Sequence, residues 1–234
     1  MDEIAGQFIA GLHTTSTTLA WTFIYLTRLP EIQAKLRRAL HAAYADGHAD
    51  GRTPDLAKVT KIRVPYLDAV LEEALRLHAT SLARQASRDT ELLGHHVPKG
   101  ANVILVANGP DFHAPSFAVD AALRHATAKT DHGWDETRDH AFEPERWLVL
   151  NRNPETDQQE TVFDANASPQ IAFGMGPRSC WGRRLAYLEL RMVVTLVIWN
   201  FELLDVPPVL ADPKASYGIV HRADQCCLGL KVIK

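Results

Sequence analysis

The stretch FGMGPRSCWG, Phe173 to Gly182, sets three glycines, a proline, an arginine and a cysteine within ten residues, and the apolar run RRLAYLELRMVVTLVIW follows directly. A thiolate, not a thiol, ligates metals, and its charge needs backbone N–H groups or a cation nearby. Gly174, Gly176 and Gly182 let the backbone approach a sulfur and aim N–H groups at it. The helix predicted from about Arg183 to Trp199 adds its positive end, and Arg178 lies two residues before Cys180. The loop is built for an anion at Cys180. An inert cysteine packed beside a glycine-rich turn is the plain alternative.

Other anion loops fit less well. A phosphate loop wants Gly-x-x-x-x-Gly-Lys-Ser/Thr, or Gly-x-Gly-x-x-Gly after a strand, and GMGPRSCWG matches neither. A cysteine phosphatase wants an arginine about six residues after its thiol, whereas Arg183 and Arg184 are three and four away. A zinc site wants further ligands close in sequence. Cys226 and Cys227 are adjacent and read as packed strand residues. Three cysteines in 234 residues make no disulfide framework. Twenty-five basic against 28 acidic residues, net −3, excludes the basic excess of a nucleic-acid binder. No basic leader precedes an apolar run, and Met192–Trp199 is far shorter than the roughly 18 residues of a membrane span.

Outward from the loop, helical periods dominate. Ile4, Phe8, Leu12, Leu19 and Phe23 fall on one face of an opening helix. Pro30 suits the first turn of a second helix over about 31–44, and a polar loop, ADGHADGRTPD, follows. A third helix over about 65–78 turns Leu67, Val70, Leu71, Ala74 and Leu75 inward. TELLGHHVPKGANVILVANG reads as a hairpin or small sheet turning at Pro98–Gly100. Residues 109–160 read as loop, and the tail YGIVHRADQCCLGLKVI as a second hairpin. The class is mainly α with small β-sheets, an α+β chain. On the third helix Glu73 and Arg76 sit at i and i+3, on one face. Taken alone they read as a solvated surface pair.

Phe173, Gly176, Arg178, Cys180 and Gly182 fill every fixed position of Phe-x-x-Gly-x-Arg-x-Cys-x-Gly, and here the chain resembles the cytochrome P450 family. The resemblance makes Cys180 the thiolate ligand of a haem b iron, with Phe173, Gly174 and Gly182 in its loop. It implies that Glu73 and Arg76 form the family's buried Glu-x-x-Arg pair, joined by Arg146 from FEPERW into one network. It sets AGLHTTST over the distal face: Gly11 leaves room for dioxygen, Thr14 helps deliver protons, and His13 stands where the family usually has an acid. Arg84 and Arg178 are the implied partners of the haem propionates, with Arg88 as a further candidate. NGP, GRRLAYLE and WNFEL are similar to fungal members of secondary metabolism.

By this resemblance residues 1–234 form the C-terminal portion of the P450 fold, distal helix to last hairpin, without the N-terminal half and membrane anchor. The implied activity inserts one oxygen atom from O2 into an apolar small-molecule substrate, with electrons from an NADPH-dependent reductase that Arg183 and Arg184 would meet. The implied site of action is the cytosolic face of the endoplasmic reticulum, with the chain itself cytosolic or membrane-peripheral. His13 motivates a second reading, haem-thiolate rearrangement or dehydration without external electrons. A third is a non-catalytic truncated remnant.

Overall fold

Two prolines set the first turns of two helices. Pro30 and Pro65 occupy positions where a missing N–H costs nothing and the fixed φ is already helical; they open α2 (Pro30–Ala43) and α5 (Pro65–Leu77). The computed structural model describes residues 2–92, 94–106, 140–152, 157–168, 170–218 and 220–233. The remaining helices are α1 (Asp2–Arg28), α3 (Ala45–Ala49), α4 (Leu56–Lys61), α6 (Arg183–Asn200) and α7 (Pro208–Ala211). The loop expected after α2 therefore contains the short α3. It ends at Asp55, whose carboxylate accepts the Ala57 N–H at 2.9 Å and caps α4.

The strands form antiparallel pairs: β1 (Leu82–Gln85) with β4 (Asn102–Leu105), β2 (Thr90–Leu92) with β3 (His95–Val97), and β5 (Leu148–Arg152) with β6 (Gln159–Phe163). Near the C-terminus β7 (Phe201–Leu204) pairs with β10 (Gly229–Val232), and β8 (Ala215–Tyr217) with β9 (His221–Ala223). The α+β class is as expected, but the strand layout differs from the local reading in four places. The tight hairpin turn lies at Gly94 (φ +79°), while Pro98–Gly100 joins β3 to β4. β1 has no β-branched residue to announce it. Residues 148–152 pair with 159–163, although 109–160 was expected as loop, and a 3₁₀ turn at Pro144–Trp147 precedes them. The tail splits between two sheets, so Cys226 and Cys227 lie in the connection between them, Cys226 exposed, and are not packed strand residues.

The core joins Leu26 of α1, Leu36 and Leu40 of α2, Val70, Leu71 and Ala74 of α5, and Leu190, Val194 and Ile198 of α6. Helix α5 is buried around its whole circumference from Tyr66 to Leu77. Gln33 ties the elements behind it: its amide donates to Leu26 O (2.9 Å) and Leu203 O (3.1 Å) and accepts from Leu203 N–H (3.0 Å). Arg37 donates to Ile198 O and Phe201 O, satisfying carbonyls at the C-terminal end of α6. The opening helix is only half covered. Phe23 is buried, but Phe8 and Leu12, assigned to the same apolar face, are 73% and 67% exposed. The side chain of Ile4 lies outside the described residues.

Candidate haem-thiolate site

Helix α5 carries four charged side chains into the interior, and each has a partner. Glu73, fully buried, accepts from Arg76 Nε and Nη2, both at 2.9 Å. The same carboxylate accepts from Arg146 Nε at 2.9 Å, Trp147 Nε1 at 2.9 Å and the Glu143 N–H at 3.0 Å. The structure thus brings Glu73, Arg76 and Arg146 together, with Trp147 and Glu143 added. One carboxylate bound by two guanidiniums, an indole and an amide is a charge-assisted network. It fastens α5 to the turn before β5. On the next face Asp68 pairs with Arg191 of α6 at 2.5 Å, and Glu72 accepts from Tyr187 Oη and Gln170 Nε2.

The loop from Phe173 to Gly182 runs into α6. It is closed by the Cys180 N–H donating to Phe173 O at 2.7 Å. Gly174 has φ +66°, a conformation that a side chain disfavours, and its missing Cβ would lie 3.6 Å from Arg178 O. Gly182 is different: its φ is −78°, and a Cβ there would stand 3.9 Å from Cys180 Sγ. Phe173 packs on Tyr187 with ring centres 5.1 Å apart, and the Arg183 guanidinium lies 5.6 Å from both rings.

Cys180 is exposed into a cleft of about 270 Å³. Leu75, Leu82, Phe173 and Leu190 line it, and Thr14 and Thr18 of α1 form part of its wall. Arg178 reaches this cleft and also an adjoining one that it shares with Arg84. Arg88 is exposed and outside both. A haem fits this donor set: one accessible thiol, apolar walls, and two guanidiniums at one edge for carboxylates.

The distal residues do not all share that cleft. Thr14 lines it, with its hydroxyl donating to Ala10 O at 2.5 Å. His13 faces a second cavity with Tyr217 and Arg222, and Gly11 lies on a groove between α1 and α6 where a Cβ would meet nothing within 4 Å. Thr14 also lines the second cavity beside His13, so it borders both spaces, while Gly11 borders neither.

Sequence reasoning missed the group that fixes the cleft's far corner. His78, at the end of α5, stacks on Trp21 with centres 3.7 Å apart. Its Nε2 is 2.9 Å from Tyr25 Oη, and its Nδ1 is 2.8 Å from Nδ1 of His221 on β9. Burial, then the His221 ring, push the His78 imidazole down to about 2, so it stays neutral. Burial raises Tyr25 to about 12. The partners are 53 and 143 residues away, beyond any local pattern.

The cytochrome P450 family model matches residues 1–109 and 137–223. The chain is 44% identical over 233 residues to cytochrome P450 monooxygenase xilC of Penicillium rubens, covering 99% of this chain and 40% of that protein. It is 40% identical over 243 residues to the Hps1-dma1 cluster cytochrome P450 monooxygenase cyp3.1 of Dothistroma septosporum, covering 98% of this chain and 77% of that one. A solved zebrafish cytochrome P450, crystallised with progesterone, aligns with TM-score 0.66 and 28% identity over 98% of this chain and 44% of its own. The chain spans about two fifths of the xilC length. A loop closed on an accessible cysteine, a buried Glu-x-x-Arg and an alignment over nearly the whole chain place it: the chain belongs to the cytochrome P450 family, with fungal relatives and the fold of its C-terminal portion.

Proposed function

We propose that this chain is the haem-binding portion of a haem-thiolate monooxygenase that inserts one oxygen atom from O2 into an apolar organic substrate. Electrons come from NADPH through a reductase. The observation that carries the reading is Cys180, a thiol open to a cleft with apolar walls and the α1 threonines along one side. Haem b, when bound, supplies the oxygen activation that side chains lack. The protein holds, orients and shields. Cys180 offers sulfur as the ligand. Arg84 and Arg178 offer two guanidiniums to carboxylates, and Leu75, Leu82 and Leu190 exclude water. Thr14 presents a hydroxyl oxygen while its proton is committed to Ala10 O, so in this rotamer it accepts from the cleft; donating requires that bond to open. Beside the loop Trp181 is 90% exposed, and Arg183 and Arg184 follow it. An apolar residue next to cations suits an acidic electron-transfer partner. No helix among the described residues is long and apolar enough to cross a membrane.

The test is spectroscopic. Protein reconstituted with haem, reduced and exposed to carbon monoxide, should show the red-shifted Soret band of thiolate ligation. Cys180→Ser should lose that band, and Cys226→Ser and Cys227→Ser should keep it. A thiolate-type band surviving in Cys180→Ser overturns the assignment.

A further inference from the structure

Glu72 is fully buried, directly precedes Glu73, and plays no part in the Glu73 network. We propose that Glu72 is a positioning residue for Cys180, holding the ligand loop from α5 through Gln170 and Tyr187. The proposal rests on the reading of Cys180 as the iron ligand. Three contacts carry it. Tyr187 Oη donates to Glu72 Oε2, and Gln170 Nε2 donates to Glu72 Oε1. The other end of the same Gln170 amide accepts the Ala172 N–H at 2.8 Å, one residue before Phe173. Phe173 in turn accepts the Cys180 N–H and packs on Tyr187. A continuous path of hydrogen bonds and one ring contact therefore leads from an α5 carboxylate to the backbone of Cys180. Tyr187 and Arg191 lie four apart on α6, as Glu72 and Asp68 do on α5, so the carboxylate belongs to an antiparallel ladder that sets where α6 starts.

The two neighbouring carboxylates then divide the work. Glu73 fastens the turn before β5, and Glu72 fastens the segment entering the cysteine loop. Burial without a guanidinium in direct contact is costly for a carboxylate. Glu72 is met by hydroxyl and amide donors, an arrangement that holds a neighbour in place by geometry more than by charge.

The test uses haem-free protein first. Amide hydrogen exchange at Ala172 and alkylation of Cys180, followed by peptide mass spectrometry, should both accelerate about tenfold in Gln170→Ala, which deprives the Ala172 N–H of its acceptor, a hydrogen bond of ordinary strength. Gln170 is only partly buried, so this variant is expected to fold. Glu72→Leu should accelerate both reactions similarly, and Glu72→Gln, which keeps one acceptor, less. Glu72→Leu combined with Gln170→Ala should do no more than either alone. In the haem-loaded protein Glu72→Leu should lose part of the thiolate-type band that wild type shows. Unchanged Ala172 exchange and Cys180 alkylation in Glu72→Leu and Gln170→Ala overturn the proposal. A wild-type protein without the thiolate band instead overturns the ligand assignment, and the haem-free rates still decide whether Glu72 holds the loop.

Discussion

Glu72 in the middle of α5 and His78 at its C-terminal end lie six residues apart, and burial moves their proton affinities in opposite senses. Desolvation pushes the Glu72 carboxyl from its ordinary 4.5 up to about 7, against the pull of Tyr187, Arg183 and Gln170 and with a smaller push from Asp68. Desolvation, His221 and Arg76 push His78 from 6.5 down to about 2. The linkage signs follow. Folded Glu72 binds its proton more tightly than the unfolded chain does. Its contribution is full below about pH 4.5 and is lost as pH rises through about 7. Folded His78 refuses a proton that the unfolded chain accepts, so its contribution is full above about pH 6.5 and is lost on acidification. Between about 4.5 and 6.5 the slopes oppose each other, each up to about 1.4 kcal/mol per pH unit. Urea unfolding across that window should therefore show a steeper loss of stability on acidification in Glu72→Gln than in wild type. His78→Asn should show the reverse, a loss on alkalinisation. Parallel profiles for all three proteins would contradict the burial argument.

At the scale of elements, the cysteine loop and α5 make separable demands. Gly174 is held at φ +66° against Arg178 O and Leu82, whereas Gly182 has an ordinary φ of −78°. Gly174→Ala should cost about 1–2 kcal/mol and free the Cys180 thiol to faster alkylation. Gly182→Ala should leave the fold's stability within about 0.5 kcal/mol, its methyl meeting only the sulfur. Equal thermal shifts for the two would mean that the loop does not depend on the left-handed turn. Glu73→Ala belongs to the other element. It removes the acceptor of two guanidiniums and should cost about 3–5 kcal/mol, read as a lowered urea midpoint and lost haem incorporation. These demands were unequally legible in the sequence. The loop and the Glu73–Arg76 spacing are local, so ten residues and one helical turn displayed them. Trp147 stood beside Arg146 in FEPERW, and its indole N–H could have been asked for a partner. Asp68 and Glu72 are not singled out by the sequence because their partners, Arg191, Tyr187 and Gln170, come about a hundred residues later. The pairing of β7 with β10 was hidden for the same reason: turn residues announce hairpins and say nothing of strands that meet across a long connection.

For the whole molecule the decisive feature is the uneven cover of α1. Its second half is locked into the core by Phe23, Leu26 and the Trp21–His78–His221 cluster. Its first half bears Phe8 and Leu12, which with Leu185 and Val193 line an apolar groove against α6. Burying a side chain of this kind is worth about 1.5–3 kcal/mol, so Phe8, Leu12 and Leu185 together leave a strong drive toward association. The 234-residue chain should accordingly self-associate in sedimentation, and Phe8→Ser with Leu12→Ser should shift it toward monomer without lowering its urea midpoint. The same openness bears on catalysis. Thr14 and Cys180 are both exposed, and oxygen insertion needs a substrate carbon held close to the reacting centre, where a displacement of about 1 Å can cost roughly a hundredfold. Supplied with haem, a reductase and NADPH, this chain by itself is expected to retain haem weakly and to consume NADPH with little product from apolar substrates. Product formed in step with NADPH consumption by a monodisperse monomer would show that the cleft between α1 and the cysteine loop already holds a substrate on its own.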